Sequence, residues 1–268
     1  MAREILIYGF GNMTSAMLEG WIASGLEARD FTIFNPSAKS VPDGTTFTST
    51  IPTSAFDVVV LGFKPHMLGD IAPVMHNCVG PKTLIVSVLA GIEVDDLAAA
   101  FPSAKTVLRF MPNLAVALGK SPNSLFAKTI GESEKAIATD LAQRLGSAEW
   151  IEEEAQFDLA TALAGSGPGF VYRFIDALAA AGAELGLPAE QAQRMAVQMV
   201  AGAGALAASS EFSPHELANR VASPGGMTRE GLNVLDHDSA LKTLLKETLE
   251  ATADRGGELA SLARADGK

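Results

Sequence analysis

The sequence predicts an α/β amino-terminal domain with a mostly parallel sheet, followed by an all-helical carboxyl-terminal domain. In the first half, short β-branched apolar runs alternate with helix-like stretches, which is the pattern of stacked β-α units. In the second half, alanine, glycine and leucine dominate, and apolar residues recur at helical spacing. A length of 268 residues, 48% of them hydrophobic, suffices for about two domains with their own cores.

The strands of the first domain are predicted from five apolar runs that end in turn-forming residues. These runs are residues 4–8, 31–34, 57–61, 83–88 and 106–110. Two shorter segments, at Leu125-Phe126 and Trp150-Ile151, extend the predicted sheet. The acidic stretch from Glu152 to Glu154 is interpreted as a solvated turn. We place the domain boundary just after it, so residues 1–156 form the first domain and residues 157–268 the second.

Helix boundaries in the second domain follow from its turn and capping residues. The segment Gly186-Leu187-Pro188 ends one predicted helix, and Ser213-Pro214-His215-Glu216 is a capping box that starts another at Pro214. The helices are rich in small residues, which give little side-chain volume for a core within one chain. We therefore expect helices to pack between subunits of a homodimer or a higher homo-oligomer. The alternative is an alanine-rich bundle that packs within one chain.

A glycine loop follows the first predicted strand and opens a helix that runs to about Gly25. Its residues Gly9, Gly11, Asn12 and Met13 stand where a dinucleotide-binding loop would hold a pyrophosphate at the helix N-terminus. Thr14 replaces the third glycine of the usual pattern, so a purely structural turn remains an alternative. The context favours a Rossmann-like, NAD(P)-binding domain.

The end of the second predicted strand bears on the choice of cofactor. NAD-selective sites carry an acidic residue here that binds the ribose 2′-hydroxyl. This sequence has Asn35, Ser37 and Lys39 instead, while Asp30 precedes the strand and lies at the wrong edge of the sheet. NADP is therefore favoured, with NADPH preferred and NADH possible. For Lys39 an ordinary turn role is an equal alternative.

Further cofactor-binding candidates lie where the other predicted strands end, because ligands of open α/β sheets bind outside the carboxyl ends of the strands. They are Gly62, Lys64, Pro65, Ala90, Gly91, Pro112 and Asn113. Arg109 lies at the same edge, and a site role and a surface ion pair are equally compatible with the sequence.

Charge and composition exclude several other classes of protein. The net charge is −11 and acidic residues outnumber basic ones in both halves, so we expect no nucleic-acid partner. Cys78 is the single cysteine, no cluster has the spacing of metal ligands, and we expect no metal. No apolar run is long enough for a membrane span. The sequence thus predicts a cytoplasmic protein in a reducing environment.

Five segments together resemble the pyrroline-5-carboxylate reductase family, and the resemblance covers essentially the whole chain. They are Gly9-Phe10-Gly11-Asn12-Met13, Lys64-Pro65, Met111-Pro112-Asn113, the stretch from Leu163 to Gly169, and Ser223-Pro224-Gly225-Gly226-Met227-Thr228. The resemblance implies an NAD(P)-binding domain followed by a helical domain that forms an intertwined dimer. It also implies reduction of L-1-pyrroline-5-carboxylate to L-proline, the last step of proline biosynthesis.

The last of these segments is the predicted substrate loop. A glycine-opened loop that leads into a helix can cradle an anion. By resemblance to the family, Ser223, Gly225, Gly226 and Met227 bind the substrate carboxylate. Thr228 is the catalytic candidate, since its hydroxyl would reach the ring nitrogen as a hydrogen-bond donor or proton relay. Without the resemblance, an ordinary helix-helix turn would be the more natural interpretation.

Three departures from the usual family pattern leave room for alternative functions. Met227 stands where a first threonine is usual, Leu114 begins a Leu-Ala pair where Thr-Pro is usual, and Met199 replaces another threonine. One alternative is therefore an NADPH-dependent reductase of another cyclic imino acid. A less favoured one is a non-catalytic, nucleotide-binding dimeric protein. An alcohol dehydrogenase on a similar plan is disfavoured because no lysine lies between Lys135 and Lys242 and the four scattered histidines offer no evident general base.

Overall fold

The computed structural model describes residues 3–266, which divide into two compact units. The first unit runs to Ser166 and resumes at Thr252, and the second unit comprises residues 167–251. The first unit thus extends beyond residue 156. The division of roles between residues 1–156 and 157–268 stays a prediction.

The first unit contains the predicted parallel-dominated sheet. Its strands are β1 (Ile5–Tyr8), β2 (Phe31–Phe34), β3 (Thr46–Thr48), β4 (Val58–Leu61), β5 (Leu84–Ser87), β6 (Thr106–Met111), β7 (Ser121–Phe126) and β8 (Gly146–Trp150). Within residues 3–266 these eight strands form one sheet in the order β3-β2-β1-β4-β5-β6-β7-β8. Neighbours are parallel except β6 and β7. All five predicted strands and both extensions are confirmed, whereas β3 was not predicted.

Helices cover both faces of this sheet. They are α1 (Asn12–Ala23), α2 (Leu68–Val74), α3 (Val94–Ala100), α4 (Glu132–Gln143) and α5 (Phe157–Ala160), which continues into a π-helical turn over Thr161–Gly165. Alternate residues of β1 enter the two cores: Ile5 and Ile7 pack on one side, Leu6 and Tyr8 on the other. The indole of Trp21 on α1 is fully buried and donates to the Leu141 carbonyl of α4 at 2.9 Å. This hydrogen bond ties α1, which follows the glycine loop, to α4.

The second unit is helical, as predicted. Its helices are α6 (Gly167–Glu184), α7 (Ala189–Ser209), α8 (Pro214–Val221) and α9 (Met227–Asp236), and α10 (Ala240–Asp266) begins in this unit and ends in the first. After α6 the chain turns at Gly186, whose φ is +111°. The predicted capping box is present before α8, where the Ser213 hydroxyl accepts from the Glu216 amide and the Glu216 carboxylate accepts from the Ser213 amide. The Ser213 hydroxyl, which also donates to the Glu216 carboxylate at 2.7 Å, and then the Ser213 amide hold the pKa of Glu216 below its usual value.

Few large side chains of the second unit are buried. Helices α6 and α7 pack on each other through small residues such as Ala179, Ala192 and Ala196. Large apolar side chains of the same two helices are instead exposed within the chain: Val171, Phe174 and Leu178 form a stripe on α6, and Met195, Met199 and Leu206 another on α7. An alanine-rich bundle that closes on itself would not leave such stripes uncovered.

Among the described residues, no helix is both long and apolar enough to cross a lipid bilayer.

Candidate active site

The loops that follow β1, β2, β4 and β5 enclose a groove of about 850 Å³ at one edge of the sheet. This edge is the carboxyl end of the parallel strands, where open α/β sheets bind ligands. Eleven of the predicted cofactor-binding residues line it: Gly9, Gly11, Asn12, Met13, Asn35, Ser37, Lys39, Gly62, Lys64, Pro65 and Ala90. Gly91, Pro112 and Asn113 do not. Most of the residues predicted to bind the cofactor therefore line one continuous groove.

Apolar and aromatic residues that were not among the predicted cofactor-binding residues form the rest of the groove. They are Tyr8, Phe10, Phe34, Pro36, Phe63, Met67, Ile71 and Val88. The rings of Tyr8 and Phe34 lie 4.3 Å apart, and Phe63 meets Tyr8 edge-on at 6.0 Å. Burial, with a smaller contribution from Cys78, raises the pKa of Tyr8. Tyr8 is thus a neutral phenol at neutral pH and not a general base. A signal for these residues existed, because several directly follow or end a predicted strand.

The first glycine of the loop is required by both conformation and space. Gly9 has a φ of +93°, which residues with a side chain rarely adopt, and its amide donates to the Phe34 carbonyl at 2.9 Å. A Cβ at Gly9 would lie 2.9 Å from the backbone of Gly62 and Phe63. The loop after β1 therefore packs directly on the backbone of the loop after β4, because Gly9 has no side chain to separate them.

Thr14, which replaces the third glycine of the usual pattern, closes the loop by hydrogen bonding. Its buried hydroxyl donates to the Gly9 carbonyl at 2.9 Å and accepts from the Gly11 amide at 3.1 Å. Its methyl group occupies space left by Gly62, where a Cβ would lie 2.4 Å from Thr14 Cγ2 and 2.5 Å from the Gly9 oxygen. Thr14 therefore fits in place of the third glycine because Gly62, on the neighbouring loop, has no side chain.

The space in front of α1 suits a phosphate group. Gly11 is the residue before α1, and a Cβ there would meet no atom within 4 Å. The missing side chain leaves a cradle at the N-terminus of a 12-residue helix, where the helix dipole favours an anion. These residues fit the pyrophosphate of a dinucleotide cofactor.

The loop after β2 is organised by Asn35. Its side-chain oxygen accepts from the Phe10 amide at 3.1 Å, and its amide nitrogen donates to the carbonyl and hydroxyl oxygens of Ser37 at 2.8 and 3.0 Å. Asn35 was expected to donate to the cofactor, but in this arrangement its donors serve Ser37. Ser37 and Lys39 are exposed along the groove, and Asp30 precedes β2 at the opposite edge, as predicted.

Arg109, in the second half of β6, is the centre of a largely buried ion-pair network. Its guanidinium donates to Glu154 at 3.1 Å and to Asp158 at 3.4 Å and lies 4.0 Å from the centre of the Phe157 ring. Its side chain is 5% exposed, and that of Glu154 is 16% exposed. A surface ion pair is therefore the wrong interpretation of Arg109, and a solvated turn is the wrong interpretation of Glu154. Three consecutive acidic residues are usually hydrated, so the sequence alone favoured a solvated turn. The ion pair depends on the fold, which brings Glu154 to an arginine 45 positions away.

Gly91 and Asn113 lie apart from the groove. Gly91, with a φ of +75°, lines a second cavity of about 350 Å³ beside Arg109 and Met111. Asn113 is buried: its side chain donates to the Ala164 carbonyl of the π-helical turn at 2.8 Å and accepts from the Ala115 amide at 2.8 Å. Asn113 thus links the end of β6 to the segment that leads into α6. Direct contact of Gly91, Pro112 and Asn113 with a cofactor stays a prediction.

In the second unit, the predicted substrate loop connects α8 to α9. Gly225 has a φ of +69°, and the Gly226 amide donates to the Ser223 carbonyl at 2.9 Å. A Cβ at Gly226 would lie 2.6 Å from the Ser223 hydroxyl. Met227 and Thr228 open α9 and are exposed within the chain. The loop therefore presents the N-terminus of α9 together with the Thr228 hydroxyl, which is the expected form of an anion cradle.

Arg229 stabilises this loop from behind. Its guanidinium donates to the Asn219 side chain at 2.9 Å and to the Ala222 carbonyl at 3.4 Å. These bonds tie the first turn of α9 to the end of α8, so the two sides of the loop are held together. Sequence motifs gave no indication of this role.

No cluster of three or more His, Cys, Asp or Glu side chains that could hold a metal ion occurs in the part of the chain that the structure describes. Cys78 is buried, and burial raises the pKa of its thiol to about 11.

A parallel sheet with a glycine-loop groove places the chain among dinucleotide-binding α/β proteins. The family model for pyrroline-5-carboxylate reductase dimerisation matches residues 154–259. The pyrroline-5-carboxylate reductase of Pseudomonas aeruginosa is 32% identical over 265 residues, which cover 96% of this chain and 97% of the relative. The chain belongs to the pyrroline-5-carboxylate reductase family.

Solved structures agree with this assignment. A pyrroline-5-carboxylate reductase from Coxiella burnetii matches with a TM-score of 0.88 at 28% identity, covering 97% of this chain and 99% of that chain. The pyrroline carboxylate reductase of Plasmodium falciparum, solved with NADP bound, shares the fold with a TM-score of 0.82 at 24% identity, covering 96% of this chain and 98% of that chain. The predicted fold class and family are confirmed.

Proposed function

We propose that this protein reduces L-1-pyrroline-5-carboxylate to L-proline with NADPH as the preferred hydride donor. The observation that carries the proposal is the presence, in one chain of this family, of both the groove at the strand ends and the glycine loop from Ser223 to Thr228. In the reaction a hydride adds to the imine carbon and the ring nitrogen keeps its proton, so the C=N bond becomes C–N. A bound nicotinamide supplies that hydride.

The residues of the chain would mainly bind and orient. The Gly11 cradle and the start of α1 would hold the pyrophosphate, and Ser37 and Lys39 would hold the 2′-phosphate of NADPH. The amides at the start of α9 would hold the substrate carboxylate. Thr228 would donate to the neutral imine nitrogen and relay to it the proton that the nitrogen then keeps. A protonated cyclic imine is already electrophilic, so proximity and orientation are the principal catalytic contributions.

The helical unit is also proposed to form a homodimer or a higher homo-oligomer. The matched dimerisation model covers the whole of this unit, and the stripes on α6 and α7 expose large apolar side chains that an interface would bury. The cytoplasmic location and the absence of a nucleic-acid partner stay predictions from the sequence.

A second candidate function is the reduction of a different cyclic imino acid. Met227 is 93% exposed at the start of α9, next to Thr228, so a large apolar side chain stands at the predicted substrate loop. A panel of pyrroline-5-carboxylate, pyrroline-2-carboxylate and the six-membered cyclic imine carboxylate separates the candidates. We expect the highest kcat/KM for pyrroline-5-carboxylate. A higher value for another imine would reassign the substrate, and no turnover with any imine despite NADPH binding would favour the non-catalytic alternative.

Thr228→Ala tests the substrate-side assignment. Loss of the hydrogen bond and proton relay to the ring nitrogen should lower kcat/KM by about tenfold to a hundredfold, equivalent to 1.5–3 kcal/mol. Thr228→Ser restores the hydroxyl and should recover most of the activity. Full turnover and unchanged KM in Thr228→Ala would refute the role.

Ser37→Glu tests the cofactor-side assignment. A carboxylate at this position should repel the 2′-phosphate and accept from a ribose 2′-hydroxyl, so the NADPH-to-NADH ratio of kcat/KM should fall by about a hundredfold. Ser40→Glu, a charge change just outside the groove-lining residues, is the matched control. An unchanged ratio in Ser37→Glu would mean that Ser37 does not face the 2′-position.

A further inference from the structure

We propose that Glu154 is a positioning residue for the cofactor groove, because it anchors the loop between β5 and α3. This inference rests on the proposed NADPH-dependent function. One carboxylate oxygen of Glu154 accepts from the Val94 amide at 2.8 Å and from the Arg109 guanidinium at 3.1 Å. Glu154 itself does not line the groove.

The anchored loop spans residues 88–93 and is held at both ends. At its start, the Val88 amide donates to the Leu61 carbonyl at 3.3 Å, and the Leu89 amide donates to the Ser87 hydroxyl at 3.3 Å. At its end, the Val94 amide donates to Glu154. Val88 and Ala90 line the groove between these anchors. Loss of the Glu154 bond would remove a polar anchor at the α3 end of the loop, where the buried side chains of Ile92 and Val94 pack against the core.

Arg109 makes the anchor rigid. It lies opposite Ser87 in the register of β5 and β6, so its guanidinium is fixed to the same edge of the sheet as the start of the loop. Stacking on Phe157 and a second ion pair with Asp158 restrict its side chain further. Glu154 is thereby held at a defined distance from β5, and the Val94 amide with it.

Stability alone does not account for this arrangement. Buried ion pairs contribute little net stability because desolvation offsets the attraction, so such a network is weak evidence for a purely stabilising role. What is particular to Glu154 is that it joins the network to the backbone of a groove-lining loop. Asp158 contacts the same arginine, but the Val94 amide donates to Glu154 and not to Asp158.

The experiment measures the Kd of NADPH by the fluorescence of the bound nicotinamide, well below the melting temperature of each variant. Glu154→Ala should weaken binding about tenfold, the equivalent of one hydrogen bond to a charged group. Glu154→Gln keeps an acceptor oxygen for Val94 and should recover most of the affinity. Glu153→Ala, which removes an exposed neighbouring carboxylate, is the matched control.

Val94→Pro removes the amide hydrogen that Val94 donates to Glu154 and leaves the ion pair between Glu154 and Arg109 in place. This second variant tests the proposal even if Glu154→Ala does not fold. Val94 is the first residue of α3, where proline is tolerated, and Glu93 before it is extended, with φ −83° and ψ 162°. Val94→Ala controls for the lost side-chain packing. We expect Val94→Pro to weaken NADPH binding about as much as Glu154→Ala, about tenfold, and more than Val94→Ala does.

Unchanged NADPH affinity in folded Glu154→Ala or Val94→Pro would overturn the proposal. Equal weakening by Asp158→Asn and Glu154→Gln, with no effect of Val94→Pro, would also overturn it, because neutralising Arg109 would then be the whole role. The proposed function fails separately, when wild-type protein binds NADPH but yields no proline from pyrroline-5-carboxylate.

Discussion

Replacing Gly62 with alanine is expected to disrupt the cofactor groove. The new Cβ would lie 2.4 Å from Thr14 Cγ2 and 2.5 Å from the Gly9 carbonyl oxygen. The second of these atoms is backbone, so rotation of a side chain cannot relieve the contact. We expect the free energy of unfolding to fall by about 3 kcal/mol. A shift of the glycine loop by about 1 Å should lower kcat/KM by about a hundredfold.

Two other glycines provide the controls. Gly11→Ala adds a methyl group to open space in the groove, so the protein should melt normally but bind NADPH more weakly. Gly69→Ala, on the exposed side of α2, should leave NADPH binding unchanged and should not lower the melting temperature. Thermal melting and NADPH titration of the three variants separate packing from binding. Wild-type melting and affinity in Gly62→Ala would contradict the packing of the β1 and β4 loops described above.

The second large effect is expected from charges on the apolar stripe of α6. Phe174→Asp and Leu178→Asp each remove an apolar side chain that is about half exposed in the single chain and would place a carboxylate in the interface. The combined variant should weaken association by about 4 kcal/mol, about a thousandfold. Light scattering after size-exclusion chromatography should then report the mass of one chain, 27.9 kDa.

Arg173→Asp is the matched control, because Arg173 points away from the stripe on the same helix and its side chain is 82% exposed. It should keep the wild-type mass. A wild-type mass for Phe174→Asp/Leu178→Asp, or a monomeric wild-type protein, would show that the stripe is not an interface.

Local patterns in the sequence predicted the elements whose determinants are local. The apolar runs of β1, β4 and β5 are buried along their whole length, and the Ser213 capping box consists of neighbouring residues. β3 was missed because Thr46–Thr48 is short, polar and only partly buried at the edge of the sheet. Such a strand forms through its pairing with β2 and carries no apolar run of its own.

The features of the site that escaped prediction depend on distant partners. The space for Thr14 is created by Gly62, and the role of Glu154 depends on Arg109 and Val94. Asn113 was expected near a cofactor because it follows a strand, yet it bonds to Ala164, 51 positions along the chain. A glycine or a carboxylate in a linear sequence does not reveal which atom it will meet. The predicted strand ends therefore indicated where the groove lies, but the sequence did not reveal the contacts that hold its loops.

Transfer of deuterium from NADPH that carries deuterium at both C4 positions of the nicotinamide tests the central claim most directly. The purified protein is mixed with pyrroline-5-carboxylate and labelled NADPH, and the proline formed is examined by mass spectrometry and NMR. We expect proline that carries one deuterium at C5, because hydride transfer to the imine carbon places it there. Unlabelled proline, or no proline while NADPH remains bound, would contradict the account.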